Sequence, residues 1–306
     1  MPSAGGVAIF IAFSAVTLLV LPRFVSMPNY KGINESYLSY VWPFVLGGGI
    51  VAVTGLIDDI VELGAKSKLL GQIAGACVIW FFTTSHFDNF KIPFGGPLFV
   101  FPDWLSFLAT IFWILAITNA VNLIDGLDGL ASGVSIISLT TMGLVAYFFL
   151  GTTNVYLPIT IFVLVFAIAG FFPYNFPPAI IYLGDTGALF LGFMISVLSL
   201  QGLKNATAVA VVTPMLILGV PLTDTVVAMI RRKLNGGSMV EADRMHLHHR
   251  LLSLGLTQHA AVLVIYGIAG IFSFIALILN VSSRWGGTFL LVCLLRRIRE
   301  KSSLQE

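Results

Sequence analysis

The chain has 306 residues, of which 58% are hydrophobic and only 10% charged, whereas an average soluble domain carries about 25% charged residues. That balance excludes an ordinary water-soluble domain, and a net charge of +2 is too small to point to a nucleic-acid partner. Cys77 and Cys293 both lie inside apolar runs, so neither a disulfide framework nor a thiolate metal site can be built from them.

Apolar stretches of about 20 residues, the length that crosses a bilayer as a helix, fall at roughly 6–22, 39–57, 67–85, 104–122, 130–150, 156–172, 183–203, 206–230, 259–280 and 283–298. The expected fold is therefore all-α, a polytopic integral membrane protein of about ten transmembrane helices forming a single domain over 1–306. The first stretch lacks a basic n-region and a small-residue cleavage site, so it is expected to stay in the mature protein. The long polar segment 231–258 is expected to be a small extramembrane loop.

Alternating through the spans places Lys66, Lys68, Arg231, Arg232, Lys233, Arg244, Arg250, Arg296, Arg297, Arg299 and Lys301 on one side. Arg23, Lys31, Lys91, Lys204 and Arg284 fall on the other, so the first side is expected to be cytoplasmic, with both termini on it. Asp58, Asp59, Glu62, Asp125, Asp128, Asp185, Asp224, Glu241 and Asp243 gather near the same side, which orientation rules alone do not require. A function that needs carboxylates at that face would explain them.

Four segments carry the chemistry. Asp58-Asp59, followed by Lys66-Ser67-Lys68, places two adjacent carboxylates at a helix end, where ionised forms are costly unless a cation compensates. Mg²⁺ does so through one or two carboxylates plus substrate phosphates; a solvated helix terminus is the plainer alternative. Asn119, Asn122 and Asp125 recur at a spacing of three and share one broad helix face, and Gly126, Asp128 and Gly129 follow where the backbone must loosen. Inter-helix packing by the asparagines is the alternative there.

The third segment, Pro173 to Ala179 and then Leu183-Gly184-Asp185-Thr186-Gly187, is too proline-rich for a continuous helix. Asn175 offers an amide donor and a carbonyl acceptor suited to a nucleobase edge, and Asp185, near the next helix start, suits either a cap or a metal ligand. The fourth is Asp243-Arg244-Met245-His246-Leu247-His248-His249-Arg250. No cysteine accompanies its histidines, and diphosphate or sugar recognition suits them at least as well as zinc. A basic loop attracted to anionic lipid is the alternative.

In this order, Asp58-Asp59, Asn119 to Leu130, Asn175 to Gly187 and Asp243 to His249 closely resemble the polyprenyl-phosphate N-acetylhexosamine-1-phosphate transferase family over nearly the whole chain. The His-x-His-His form at His246, His248 and His249 resembles the branch using UDP-N-acetylglucosamine or a similar UDP-N-acetylhexosamine. Two departures stand out. Against the branch's eleven-helix pattern the chain is expected to lack the first helix, and Gly237 to Glu241 lacks the aromatic and proline residues often found there.

The resemblance implies a Mg²⁺-dependent enzyme, with Mn²⁺ as a substitute, in the bacterial plasma membrane with its active site on the cytoplasmic face. It would pass a sugar-1-phosphate from the UDP-sugar to undecaprenyl phosphate and so initiate synthesis of teichoic acid, O-antigen or a related glycan. Its expected catalytic residues are Asp58, Asp59, Asp125, Asp128 and His248, with Asp58 the better candidate for the acceptor side. Lys68, Asn119, Asn122, Asn175, Arg244, His246 and His249 are expected to bind substrate, and Asp185 and Asp125 to hold the metal. A homodimer is also an expectation. Two other readings are kept: the peptidoglycan branch, which transfers phospho-N-acetylmuramoyl-pentapeptide, and a secondary transporter, against which the one-sided acids and the lack of a repeat speak.

Overall fold

A computed structural model describes residues 3–25, 37–87, 89–91, 98–149, 155–203, 219 and 251–282. In chain order these form α1 (Gly5–Ala15), a π-helical turn (Val16–Val20), α2 (Leu21–Val25), α3 (Tyr37–Val61), α4 (Ala65–Phe82), β1 (Asn89–Lys91), β2 (Leu98–Val100), α5 (Asp103–Ile124), α6 (Leu130–Phe149), α7 (Tyr156–Asn175), α8 (Gly184–Leu203) and α9 (Gln258–Ser282). The chain is an all-α, multi-pass membrane protein. Among the described residues the one departure is an antiparallel ribbon between α4 and α5, in which Phe90 pairs with Phe99.

Among the described residues, seven helices are long and apolar enough to cross a bilayer. An eighth expected span forms as α4, but Lys66, Lys68 and Gln72 leave it less apolar than the others. Apart from Gly219, the expected spans at 206–230 and 283–298 lie outside the described residues, as do residues 231–250 of the polar loop. The described end of that loop starts as a helical turn at 251–253 and closes at Gly255, whose φ is +89°.

The bundle is organised around α8. In its membrane-length stretch 83% of residues are buried, against 28% for the first span. Helices α3 and α5 make the most extensive contacts with it, and α1 covers a third side. A helix enclosed in this way cannot present a polar stripe to water, which is why α8 is apolar or small all round. Its few polar groups find partners inside: the indole of Trp113 donates to the Ser196 carbonyl and the Ser199 hydroxyl at 3.2 and 3.1 Å.

The start of α8 is approached by backbone from two sides. A Cβ on Gly55 of α3 would lie 2.6 Å from the Asp185 carbonyl oxygen, and one on Gly6 would collide with the Gly187 amide. The Gly5 and Gly6 amides donate to the carbonyls of Tyr182 and Leu183 at 3.1 and 3.0 Å. Only residues without a side chain permit this approach.

The proline-rich segment behaves differently from expectation. Helix α7 continues through Pro173 and stops at Asn175. The following turn folds back so that the amides of Ile180 and Ile181 both donate to the Tyr174 carbonyl. Near the end of a helix a proline costs one hydrogen bond, which neighbouring helices offset in a membrane bundle.

Gly55→Ala is expected to lower the unfolding midpoint of the detergent-solubilised protein, with a loss of about 1–3 kcal/mol because fixed backbone, not a flexible side chain, meets the new methyl. Gly64→Ala, with nothing within 4 Å of the added carbon, should leave the midpoint unchanged. Equal midpoints for the two variants would show that the α3–α8 approach is not tight.

Candidate functional site

The ends of α3 and α5 and the beginnings of α4 and α8 converge at one end of the bundle, and each brings part of a polar cluster. Helix α3 terminates at Glu62, a non-glycine residue in left-handed conformation with φ +53°. This reversal turns the Leu63 amide back to donate to Asp58 Oδ1 at 2.6 Å. The other oxygen of Asp58, a buried residue, forms an ion pair with Lys68.

Lys68 also reaches Asp185 Oδ2 at 3.0 Å. It therefore bridges a carboxylate on α3 and a carboxylate on α8. Asp185 Oδ1 in turn accepts a hydrogen bond from Asn122 Nδ2 at 2.8 Å. One turn deeper, Asn119 Nδ2 donates to Gln72 Oε1 at 2.8 Å, so the fully buried Gln72 ties α4 to α5 beneath the charged layer. Asn119 and Asn122 thus share the side of α5 that meets α4 and α8, as their spacing predicts.

Asp59 does something that its adjacency to Asp58 did not suggest. Its Oδ1 accepts from the Asp185 amide at 2.8 Å, and its Oδ2 from the Thr186 amide at 3.0 Å and the Thr186 hydroxyl at 2.6 Å. Both oxygens are committed to the first amides of α8, groups that have no partner within their own helix. A carboxylate there also meets the positive end of the helix dipole. Asp59 is a cap supplied from a distant helix, and Asp185 carries no capping role of its own.

The turn between α5 and α6 holds Asp125 and Asp128. Asp128 Oδ2 accepts from the Ala179 amide at 3.1 Å, tying this turn to the one before α8. Asp125 is half-buried, and burial, followed by the repulsion of Asp185, Asp59 and Asp128, pushes its pKa up to about 7. These are the conditions under which a bound cation is most strongly favoured.

Asn175, expected at a nucleobase, is buried with only 3% of its surface exposed. Its amide donates to the Ile181 carbonyl at 3.1 Å, and its Oδ1 accepts from the Ser132 hydroxyl at 2.7 Å. These bonds brace the 176–183 turn against α6 and give Asn175 a scaffolding position. Arg244, His246, His248 and His249 lie outside the described residues. Gln72, Thr186 and Ser132 were not singled out in the sequence. Gln72 gives a usable signal, a carboxamide one helical turn after Lys68 in an apolar run, whereas serines and threonines at these positions look like ordinary membrane-helix packing.

Membrane-length helices closed at one end over a layer of ionised and carboxamide groups define a multi-pass membrane protein with a polar centre at one end of its bundle. Residues 41–203 match the family described as glycosyl transferase family 4. The chain is 41% identical over 297 residues to a probable undecaprenyl-phosphate N-acetylglucosaminyl 1-phosphate transferase of Bacillus subtilis, covering 96% of this chain and 78% of that one. It is 35% identical over 293 residues to the decaprenyl-phosphate N-acetylglucosaminephosphotransferase of Mycolicibacterium smegmatis, covering 89% and 70%. With the undecaprenyl-phosphate alpha-N-acetylglucosaminyl 1-phosphate transferase of Escherichia coli K12 it shares 29% over 239 residues, 76% of this chain and 64% of the relative. The chain belongs to glycosyl transferase family 4.

The raised pKa of Asp125 has a measurable consequence. With a folded value of about 7 against 3.8 for the free group, folding takes up a proton between those limits. Stability of the metal-free protein therefore falls as pH rises through that window, and the loss is complete above it. Asp125→Asn is expected to abolish this fall, so that the variant's unfolding midpoint exceeds the parent's at about pH 8 and converges with it near pH 4. A gap of the same size at both pH values would show that Asp125 is not the group responsible.

Proposed function

We propose that this protein transfers N-acetylglucosamine-1-phosphate, or a related N-acetylhexosamine-1-phosphate, from its UDP-sugar to undecaprenyl phosphate, releasing UMP. The enzyme class, a membrane phosphotransferase, follows from the family and from the relatives' shared activity. The observation that carries the reading is the Lys68 bridge between Asp58 and Asp185. It sets a cationic group between carboxylates from two helices at one end of a membrane bundle, where an anionic lipid headgroup and a diphosphate have to meet.

In the reaction, an oxygen of the lipid phosphate attacks the sugar-bearing phosphorus of the donor. A new P–O bond forms, the P–O bond to the bridging oxygen breaks, and UMP leaves with the electron pair. Both reactants are strongly anionic, so catalysis consists of positioning and charge neutralisation. Lys68 exchanges one carboxylate partner for a phosphate oxygen and lowers the repulsion. Asp58, next to Lys68, lies on the acceptor side; a lipid phosphate is already largely ionised at neutral pH and needs orientation more than deprotonation. We favour direct attack over an enzyme-bound phosphosugar.

The residues present fit Mg²⁺. All candidate donors are hard oxygens, and Asp125 sits among three other carboxylates that raise its pKa. Among the described residues no three acidic or histidine side chains converge closely enough to hold an ion alone, which suits a cation completed by substrate phosphates. Asp185 and Asp125 would hold it, with Asn122 orienting Asp185. Bound there, Mg²⁺ would neutralise developing charge on the diphosphate. Asp128 and Asn119 support this layer, and Asp59 positions Asp185 instead of meeting substrate. Arg244, His246, His248 and His249 are assigned to the diphosphate and sugar on their sequence pattern alone.

The remaining parts of the reading are the cytoplasmic face of a bacterial plasma membrane, from the distribution of lysine and arginine, and a first step of cell-envelope glycan synthesis. The relatives named for N-acetylglucosamine favour that sugar over the muramoyl-pentapeptide of the peptidoglycan branch.

Purified protein given UDP-N-acetylglucosamine, undecaprenyl phosphate and Mg²⁺ is expected to release UMP and form a lipid product with the mass of undecaprenyl-diphospho-N-acetylglucosamine. Chelation by EDTA should stop the reaction and added Mg²⁺ restore it. Asp185→Asn should slow it by roughly two to three orders of magnitude, the scale of removing one electrostatic stabiliser, with the protein still folded. Full activity in that variant would refute the metal-ligand role, and inactivity of the folded parent with every UDP-sugar would refute the function.

A further inference from the structure

The turn that carries Asp125 and Asp128 ends at Gly129, whose φ is +74°, and the carbonyl of Gly129 is approached by three donors. The Gly133 amide lies at 2.8 Å, the Tyr266 hydroxyl of α9 at 2.5 Å and the Ser132 hydroxyl at 3.0 Å. A carbonyl oxygen has two lone pairs, and a serine hydroxyl has one proton. The amide and the tyrosine fill the carbonyl at the shorter distances, which leaves the Ser132 proton for Asn175 Oδ1 at 2.7 Å.

Tyr266 therefore holds a distinct position. It supplies the second bond to Gly129 and thereby frees Ser132 to hold α7. Through Asn175 and Ile181, and through Asp128 and Ala179, the same connection reaches the turn before α8. The Tyr266 ring lies directly against Gly133, where a Cβ would collide with it. The ring's placement over α6 is therefore set by the absence of a side chain at Gly133.

We propose that Tyr266 is a positioning residue for phosphosugar transfer, its hydroxyl fixing the Asp125–Gly129 turn so that Asp125 and Asp128 stay in register with Asp185. The assignment rests on those carboxylates serving the transfer. Tyr266 touches neither substrate nor metal; it acts through the Gly129 carbonyl.

Tyr266→Phe in the full chain keeps the ring and removes only the hydroxyl. Amide hydrogen exchange across residues 126–133 should accelerate by about threefold to tenfold, the scale of one net hydrogen bond, while exchange in α3 stays at the parent rate. Mn²⁺ affinity read by electron paramagnetic resonance, and the Mg²⁺ concentration giving half-maximal transfer, should shift by a similar factor, with the unfolding midpoint little changed. Gly133→Ala, which displaces the same ring from the other side, should reproduce the shifts and guards against misfolding of the first variant. Parent-like exchange and Mn²⁺ affinity in folded Tyr266→Phe would overturn the role of Tyr266 while leaving the transfer reading intact. A parent chain that forms no lipid product would overturn that reading and the assignment together.

Discussion

The capping of α8 by Asp59 is the interaction on which the rest of the site depends. Helix α8 is enclosed along most of its length, and its first amides have no partner within their own helix. Asp59 satisfies two of them and the Thr186 hydroxyl besides. It can do so because Gly6 and Gly55 let two other segments approach the same helix start at backbone distance. Asp185 is thereby released from capping its own helix and turned toward Lys68 and Asn122.

Two adjacent aspartates thus divide the work by the direction each faces. Asp58, one position earlier on α3, points to the end of its own helix and to Lys68, and Asp59 points across to α8. The bridge from Lys68 to both Asp58 and Asp185 keeps each carboxylate partnered in the absence of substrate, in a setting where an uncompensated charge would be expensive. The carboxamides form the layer below: Asn122 orients Asp185, and Gln72 with Asn119 fixes the spacing of α4 and α5. An ionised layer over an amide layer over apolar packing is a gradient of polarity, and it follows the approach from water into the bilayer.

Much of this arrangement was legible in the sequence because membrane helices advertise themselves by apolar runs, and because carboxylates in such surroundings need a reason to be there. The eight described spans, with α1 and α2 in one of them, fall where the hydropathy placed them, and Asp58, Lys68, Asn122, Asp125 and Asp185 do come together. The division of roles was not legible. Asn175 looks like a recognition residue because its amide offers both a donor and an acceptor for a nucleobase edge, but burial against Ser132 depends on how α6 and α7 pack. The contribution of Tyr266 depends on which helix lies beside Gly129, which local periodicity does not encode. Helix α7 running through Pro173 also reflects packing that outweighs a local preference.

The cap on α8 also bears on how the molecule is made. Asp59 and the amide of Thr186 stand 127 positions apart in the chain, so a ribosome delivers the carboxylate well before the helix it completes. Until α8 enters the bundle, Asp59 has its oxygens free at the end of α3, and Asp185 does not yet exist. The polar centre is therefore completed only when α8 packs beside α3 and α5, and any arrest of synthesis short of α8 leaves a membrane-inserted chain without it.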